Sequence, residues 1–130
     1  MNENKSSDAY GWFAKAETDF ESARLLANLS GPPETICFLA QQGAEKYLKG
    51  YLVWHSVTFR MLEILNNCRT VDGRFGELVD DCQTLNPYAV EVRYPGFGTS
   101  YTDEDARDAL ERAERVRRFV RKRLGLNNAD

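Results

Sequence analysis

A chain of 130 residues and 14.9 kDa bounds a single domain with room for a real core. Its 42% hydrophobic and 28% charged residues are those of an ordinary soluble globular protein, and a net charge of −3 argues against one built mainly to coat nucleic acid. No apolar run approaches the roughly 20 residues that cross a bilayer, and the N-terminal MNENKSSDAY has no signal-peptide core, so a cytoplasmic protein with no membrane partner is expected.

Residues 1–7 read as a flexible lead-in, and a first helix is expected from near Asp8 to Leu29. Trp12, Ala16, Phe20, Ala23 and Ala27 form its apolar stripe, with Lys15, Glu17, Glu21 and Arg24 mostly toward solvent. Ser30-Gly31-Pro32-Pro33 stops it. A second helix is expected from about Glu34 to His55, with Gly50 a mild weakness in it. Met61–Asn67 reads as a short third helix and Thr70–Gly73 as a turn. Phe75–Leu85 is amphipathic through Phe75, Leu78, Val79, Cys82 and Leu85, and Asn86-Pro87 marks its end. Ala89–Thr99 reads as irregular, with Ala89–Tyr94 its one extended candidate. The last helix is expected over Thr102–Leu124, opened by a capping-box pair, Thr102 and Asp105. It is acidic at its start and basic over Arg115–Arg123, which complements the helix dipole. The fold class that follows is all-α, an antiparallel up-and-down bundle of four to five helices. It spans residues 8–125, with 126–130 a flexible end.

The second helix carries the most information. Phe38, Leu39, Ala40, Gly43, Ala44, Tyr47, Leu48 and Tyr51 surround it with apolar groups, and Gln41, Gln42, Glu45, Lys46 and Lys49 run between them. Such a helix lies at the centre of a bundle, and its polar seam must find partners. The run F-x-A-Q-Q-x-A-E-K-x-L-K, Phe38 to Lys49, resembles the central helix of the HEPN family (higher eukaryotes and prokaryotes nucleotide-binding). Trp12, Ala16, Asp19 and Ala23 resemble that family's first helix, and Arg93-Tyr94-Pro95 with the acidic, alanine-rich helix after it resembles its closing segment. The resemblance covers nearly the whole chain. It implies a helical bundle, dimerisation, and a minimal nucleotidyltransferase as partner in a toxin–antitoxin-like pair.

Members of the wider family that cut RNA carry Arg, four to six residues, then His: an imidazole to move the proton and a guanidinium to stabilise phosphate charge. Here the one histidine is His55, and no arginine lies between Arg24 and it. Arg60 follows His55 in reversed order. The family also opens its third helix with Thr-His-Asp, whereas this chain runs from Thr58-Phe59-Arg60 directly to Met61, a few residues short of that pattern. A non-catalytic binding module is therefore expected, with an atypical RNase around His55 and Arg60, or a ligand-free structural adaptor, as alternatives. The candidate ligand set is Gln42, Lys46, Lys49, Arg93 and Tyr94. The cations meet phosphate, Tyr94 stacks or hydrogen-bonds, and Gln42 orients. The bland reading of the same residues is ion pairing: Lys46 with a neighbouring helix, Arg93 with Asp80 or Asp81. Arg115–Arg123 reads as a solvated helix end, so RNA is not the favoured partner. Gln41 and Gln42 suit hydrogen bonding across a two-fold axis in a homodimer. Cys37, Cys68 and Cys82 form no CxxC pair and read as reduced core thiols. With one histidine, no His-rich metal site and no cofactor is expected.

Overall fold

We describe the fold from a computed structural model over residues 3–56, 63–91 and 101–126. Its helices are α1 (Glu3–Asn28), α2 (Pro33–Trp54), α3 (Ile64–Val71), α4 (Val79–Leu85), α5 (Tyr88–Glu91) and α6 (Asp103–Arg123), with a 3₁₀ segment, Gly73–Leu78, leading into α4. Among the described residues there is no strand. The segment expected to be extended enters a helical turn at Tyr88–Glu91, and its remainder, 92–94, lies outside the described residues. The turn expected at Thr70–Gly73 is displaced too. Helix α3 runs on to Val71, and Asp72 then accepts the Arg74 N–H at 3.0 Å to start the 3₁₀ segment. Helix α1 begins at Glu3, ahead of the expected Asp8.

The long legs alternate in direction. Phe13 meets Gly50 and Phe20 meets Gly43, so α1 and α2 are antiparallel. Arg117 pairs with Glu17 and Arg24 with Glu114, so α6 also runs against α1. Phe75 packs on Phe119, and Asp81 pairs with Arg115. The Gly73–Leu85 stretch is therefore the third leg, antiparallel to α6. An all-α up-down-up-down bundle results, with short α3, α4 and α5 dividing the leg that links α2 to α6.

The α1–α2 contact is unusually close for a chemical reason. A Cβ at Gly43 would stand 2.8 Å from Phe20 Cε2, and one at Gly50 would stand 2.3 Å from Phe13 Cε1. The two glycines are seven residues apart, as are the two phenylalanines, so each ring drops into a gap on the same face of α2. Tyr47 fills the space between, stacked on Phe13 at 5.0 Å between centroids and edge-on to Phe20 at 6.0 Å. Full burial of a ring such as Phe20 contributes about 1.5–3 kcal/mol, which outweighs the ~1 kcal/mol helix penalty of a glycine. Phe13, not Trp12, is the buried aromatic of this helix; Trp12 lies half-buried over Lys49. Helix α6 closes the core through Ala106, Ala109, Ala113, Val116 and Val120. Both bonds of its capping box form, Asp105 N–H to Thr102 Oγ1 at 3.0 Å and Thr102 N–H to Asp105 Oδ2 at 2.9 Å.

Two sets of charges are more deeply engaged than their sequence positions suggest. Glu17 faces inward: Tyr47 Oη donates to it, and Arg117 Nε donates to it at 2.7 Å. Arg121 donates to Tyr47 at 3.3 Å, closing a junction of α1, α2 and α6. Burial alone would raise the Glu17 carboxyl, but hydrogen bonds from Arg117 and Tyr47 and the nearby guanidinium charges outweigh it, and the net shift is downward. Burial raises Tyr47 to about 12, helped by the Glu17 bond. The basic stretch of α6 is likewise no simple solvated end. Arg115 holds Asp81 at 2.8 Å, Arg117 holds Glu17, and Arg123 holds Asp72 at 2.8 Å. Arg117 is buried among the helices, whereas Arg115 and Arg123 make their pairs from the exposed surface.

Candidate functional site

The polar seam of α2 is a connected chain. Gln42 Nε2 donates to Gln41 Oε1 at 2.6 Å, Gln41 Nε2 donates to Glu45 Oε1 at 3.2 Å, and Lys49 Nζ holds Glu45 Oε2 at 3.1 Å. The Lys49 ammonium also lies 5.2 Å from the Trp12 ring centroid. The i, i+4 spacing of residues 41, 45 and 49 places them one above another on the helix. Gln41 is 4% exposed and Lys49 9% exposed. Among the described residues, no buried side-chain nitrogen or oxygen lacks a hydrogen-bond partner, as buried polar groups require.

Two residues of the seam, Gln41 and Glu45, stand on one wall of a cleft of about 340 Å³ between α2, α3 and α4. Its apolar lining is Ala44 and Leu48 from α2, Ile64 and Leu65 from α3, and Leu85 from α4. Its polar lining is Gln41, Glu45, Asn66, Gln83 and Asn86, so Glu45 is the one formal charge on the wall among the described residues. Cys82 completes it, its thiol pushed up to about 12 by burial and then by the Asp81 charge. A space of this size, mostly apolar with a few convergent polar groups, is the usual form of a small-molecule site.

The expected ligand residues are only partly brought together. Gln42 and Lys49 belong to the seam. Lys46 points elsewhere: adjacent residues stand about 100° apart round a helix, and its ammonium is held by Asp19 of α1 at 2.6 Å. Arg93 and Tyr94 lie outside the described residues. Asp80 and Asp81, the carboxylates considered for Arg93, are taken by Arg112 at 2.9 and 3.2 Å, and Asp81 also by Arg115. The cleft's amides, Asn66, Gln83 and Asn86, were not singled out from the sequence. Gln83 lies in α4 and Asn86 caps its end, beside Cys82 and Leu85, but no local pattern joins them to Asn66 of α3.

At the other end of α2, His55 is exposed and packs against Tyr51 with ring centroids 4.6 Å apart. Partial burial lowers its pKa, opposed by the Asp72 charge. Arg60 lies outside the described residues. No described helix is long and apolar enough to cross a membrane. Among the described residues no group of three or more His, Cys, Asp or Glu could hold a metal ion.

Two solved structures are similar to this chain over nearly their full length. One is an archaeal HEPN homologue, 27% identical, with a TM-score of 0.73, covering 88% of this chain and 96% of its own. The other is TT1696 from Thermus thermophilus, 26% identical, with a TM-score of 0.75 and the same coverage. No curated protein matches significantly. The HEPN domain model matches residues 9–123, from the start of the buried face of α1 to the last residue of α6. With the bundle, the central helix and the match all in agreement, the chain belongs to the HEPN domain family.

Proposed function

We propose that this chain is a non-catalytic HEPN module that binds a nucleotide, with the α2–α3–α4 cleft as its receptor. The observation that carries this reading is the Gln42–Gln41–Glu45–Lys49 chain, whose Gln41 and Glu45 stand on the wall of a ligand-sized cleft with Gln42 and Lys49 bonded behind them. Apolar residues of similar volume would hold a bundle together as well as a buried ion pair or better, which favours a recognition role for the seam. In this reading Gln42 orients Gln41 and Lys49 holds Glu45. Lys46, held by Asp19 on another face of α2 but with donors to spare, meets only a phosphate that extends beyond the cleft. Arg93 and Tyr94 add a cation and a ring. Homodimerisation and pairing with a nucleotidyltransferase in a toxin–antitoxin-like system extend the same proposal on the strength of family membership.

The test is a thermal-shift series on the full chain with nucleoside mono-, di- and triphosphates. Saturating ligand at a hundredfold excess over Kd adds about 2.7 kcal/mol of stability. A selective rise supports the reading, and a flat response across the series, from folded protein, overturns it. RNA cleavage lost on His55→Ala would favour the nuclease alternative. A mass change on mixing with a partner protein, without any ligand effect, would favour the adaptor.

A further inference from the structure

We infer, resting on the nucleotide reading above, that the α2–α3–α4 cleft selects a guanine-type base: a flat ring with two adjacent N–H donors on one edge and acceptors on another. The lone pairs of Glu45 set the first requirement. An ionised carboxylate only accepts, at about four lone-pair sites. Gln41 occupies one on Oε1 and Lys49 one on Oε2, which leaves one acceptor site on each oxygen. One remaining acceptor site on each oxygen of a held carboxylate can take two adjacent donors, and such bidentate pairs are strong. Lys49 and Gln41 hold the group in place, so little ordering is needed when a ligand arrives.

The rest of the lining sets the shape and the second edge. Leu48 of α2 and Leu65 of α3 are apolar surfaces from two different helices, suited to the two faces of a flat ring. The amides of Asn66, Gln83 and Asn86 carry N–H donors for ring acceptors. Guanine combines both edges: N1–H and N2–H₂ toward a carboxylate, O6 and N7 toward amides. Adenine sets a lone pair beside its one exocyclic donor, so its pairing edge would face one Glu45 oxygen with another acceptor. An arginine side chain has donors only and would leave the amides unused. Glu45 is the only formal charge on the described wall, and Lys49 pairs with it from behind, so the cleft offers phosphate no cation of its own. The base enters, and any phosphate stays outside it.

The experiment is isothermal titration of the full chain with guanosine, inosine, adenosine and GTP. Guanosine should bind without a phosphate. Inosine, which lacks the N2 amine, should bind about tenfold or more weaker, as expected for losing a hydrogen bond to a charged group. Adenosine should be weaker still. Glu45→Gln should erase the preference for guanosine over inosine. Because that change also alters the partner of Lys49, Leu65→Trp serves as a second variant. Leu65 is half-buried at the cleft, and a larger ring there should block guanosine while leaving the helical circular-dichroism spectrum unchanged. Equal binding of adenosine and guanosine, or guanosine binding unaffected by Leu65→Trp, would overturn the inference while leaving nucleotide binding intact. Absence of binding by every nucleoside and nucleotide would overturn both.

Discussion

Replacing Gly50 with alanine tests the packing that holds the central helix in place. In an exposed helix the change gains about 0.8–1 kcal/mol of helix propensity. Here the new methyl would lie 2.3 Å from Phe13 Cε1 and 2.7 Å from Cδ1. The Phe13 ring has little room to yield, since it is 3% exposed and stacked on Tyr47 with planes 19° apart. Overpacking of this kind costs about 1–3 kcal/mol. With the propensity gain set against it, a net loss of up to about 2 kcal/mol is expected, a fall in Tm of up to roughly 8 °C for a domain of this size. Gly11→Ala is the internal control. Among the described residues, no atom beyond its chain neighbours and its own helix backbone lies within 4 Å of the position a Cβ would take there, so the same substitution should stabilise by about 0.4–1 kcal/mol. Combining Gly50→Ala with Phe13→Leu should show favourable coupling, because the shorter side chain removes the clash. Thermal and urea denaturation read all of these variants. A Gly50→Ala protein as stable as Gly11→Ala would refute the close approach of α1 and α2.

Arg117→Ala should destabilise by about 1–3 kcal/mol in urea denaturation. The value is discounted from that of a fully buried pair because Glu17 keeps 38% side-chain exposure. Because the folded Glu17 pKa is depressed, its contribution is present above the ordinary carboxylate value and is lost as pH falls through the lower folded one. Glu17→Gln should therefore flatten the acid limb of Tm against pH between about pH 5 and pH 3, and an unchanged limb would contradict the Glu17 junction. Burial holds Cys37 and Cys82 at about 12. Native protein at neutral pH should accordingly react slowly with a thiol reagent, and all three cysteines should react once it is unfolded. Lys46→Met should weaken a nucleoside triphosphate severalfold and leave its parent nucleoside nearly unaffected; equal losses would remove Lys46 from the phosphate role.

Helix α6 and helix α2 show what the sequence makes legible. The apolar period of α6, its Thr102–Asp105 cap and its basic end all point to one helix, and it forms where they place it, at Asp103–Arg123. The alternation of small and aromatic residues in α2 marks it as central, and it is buried on nearly every side. Charge pairing is not legible in the same way. Arg117 and Glu17 are a hundred residues apart, and nothing local distinguishes either from a solvated helix charge. The cleft was hidden for a related reason. Its wall is assembled from three helices, and the amides at 66, 83 and 86 acquire a shared face only once α3 and α4 fold back on α2. The boundary errors at Thr70–Gly73 and Ala89–Tyr94 have the opposite origin. Asp72 continues the chain into a 3₁₀ turn through a side-chain bond, and Asn86-Pro87 restarts a helix where a stop was expected.

The most direct test of the nucleotide-binding cleft is a titration of isotope-labelled full-length protein with GTP, followed by NMR of its side-chain amide groups. If the cleft is the receptor, saturable shifts should concentrate on Gln41, Asn66, Gln83 and Asn86 and should disappear in Leu65→Trp. No shifts at saturating GTP, or shifts centred on the His55 end of α2 with these amides unmoved, would contradict it.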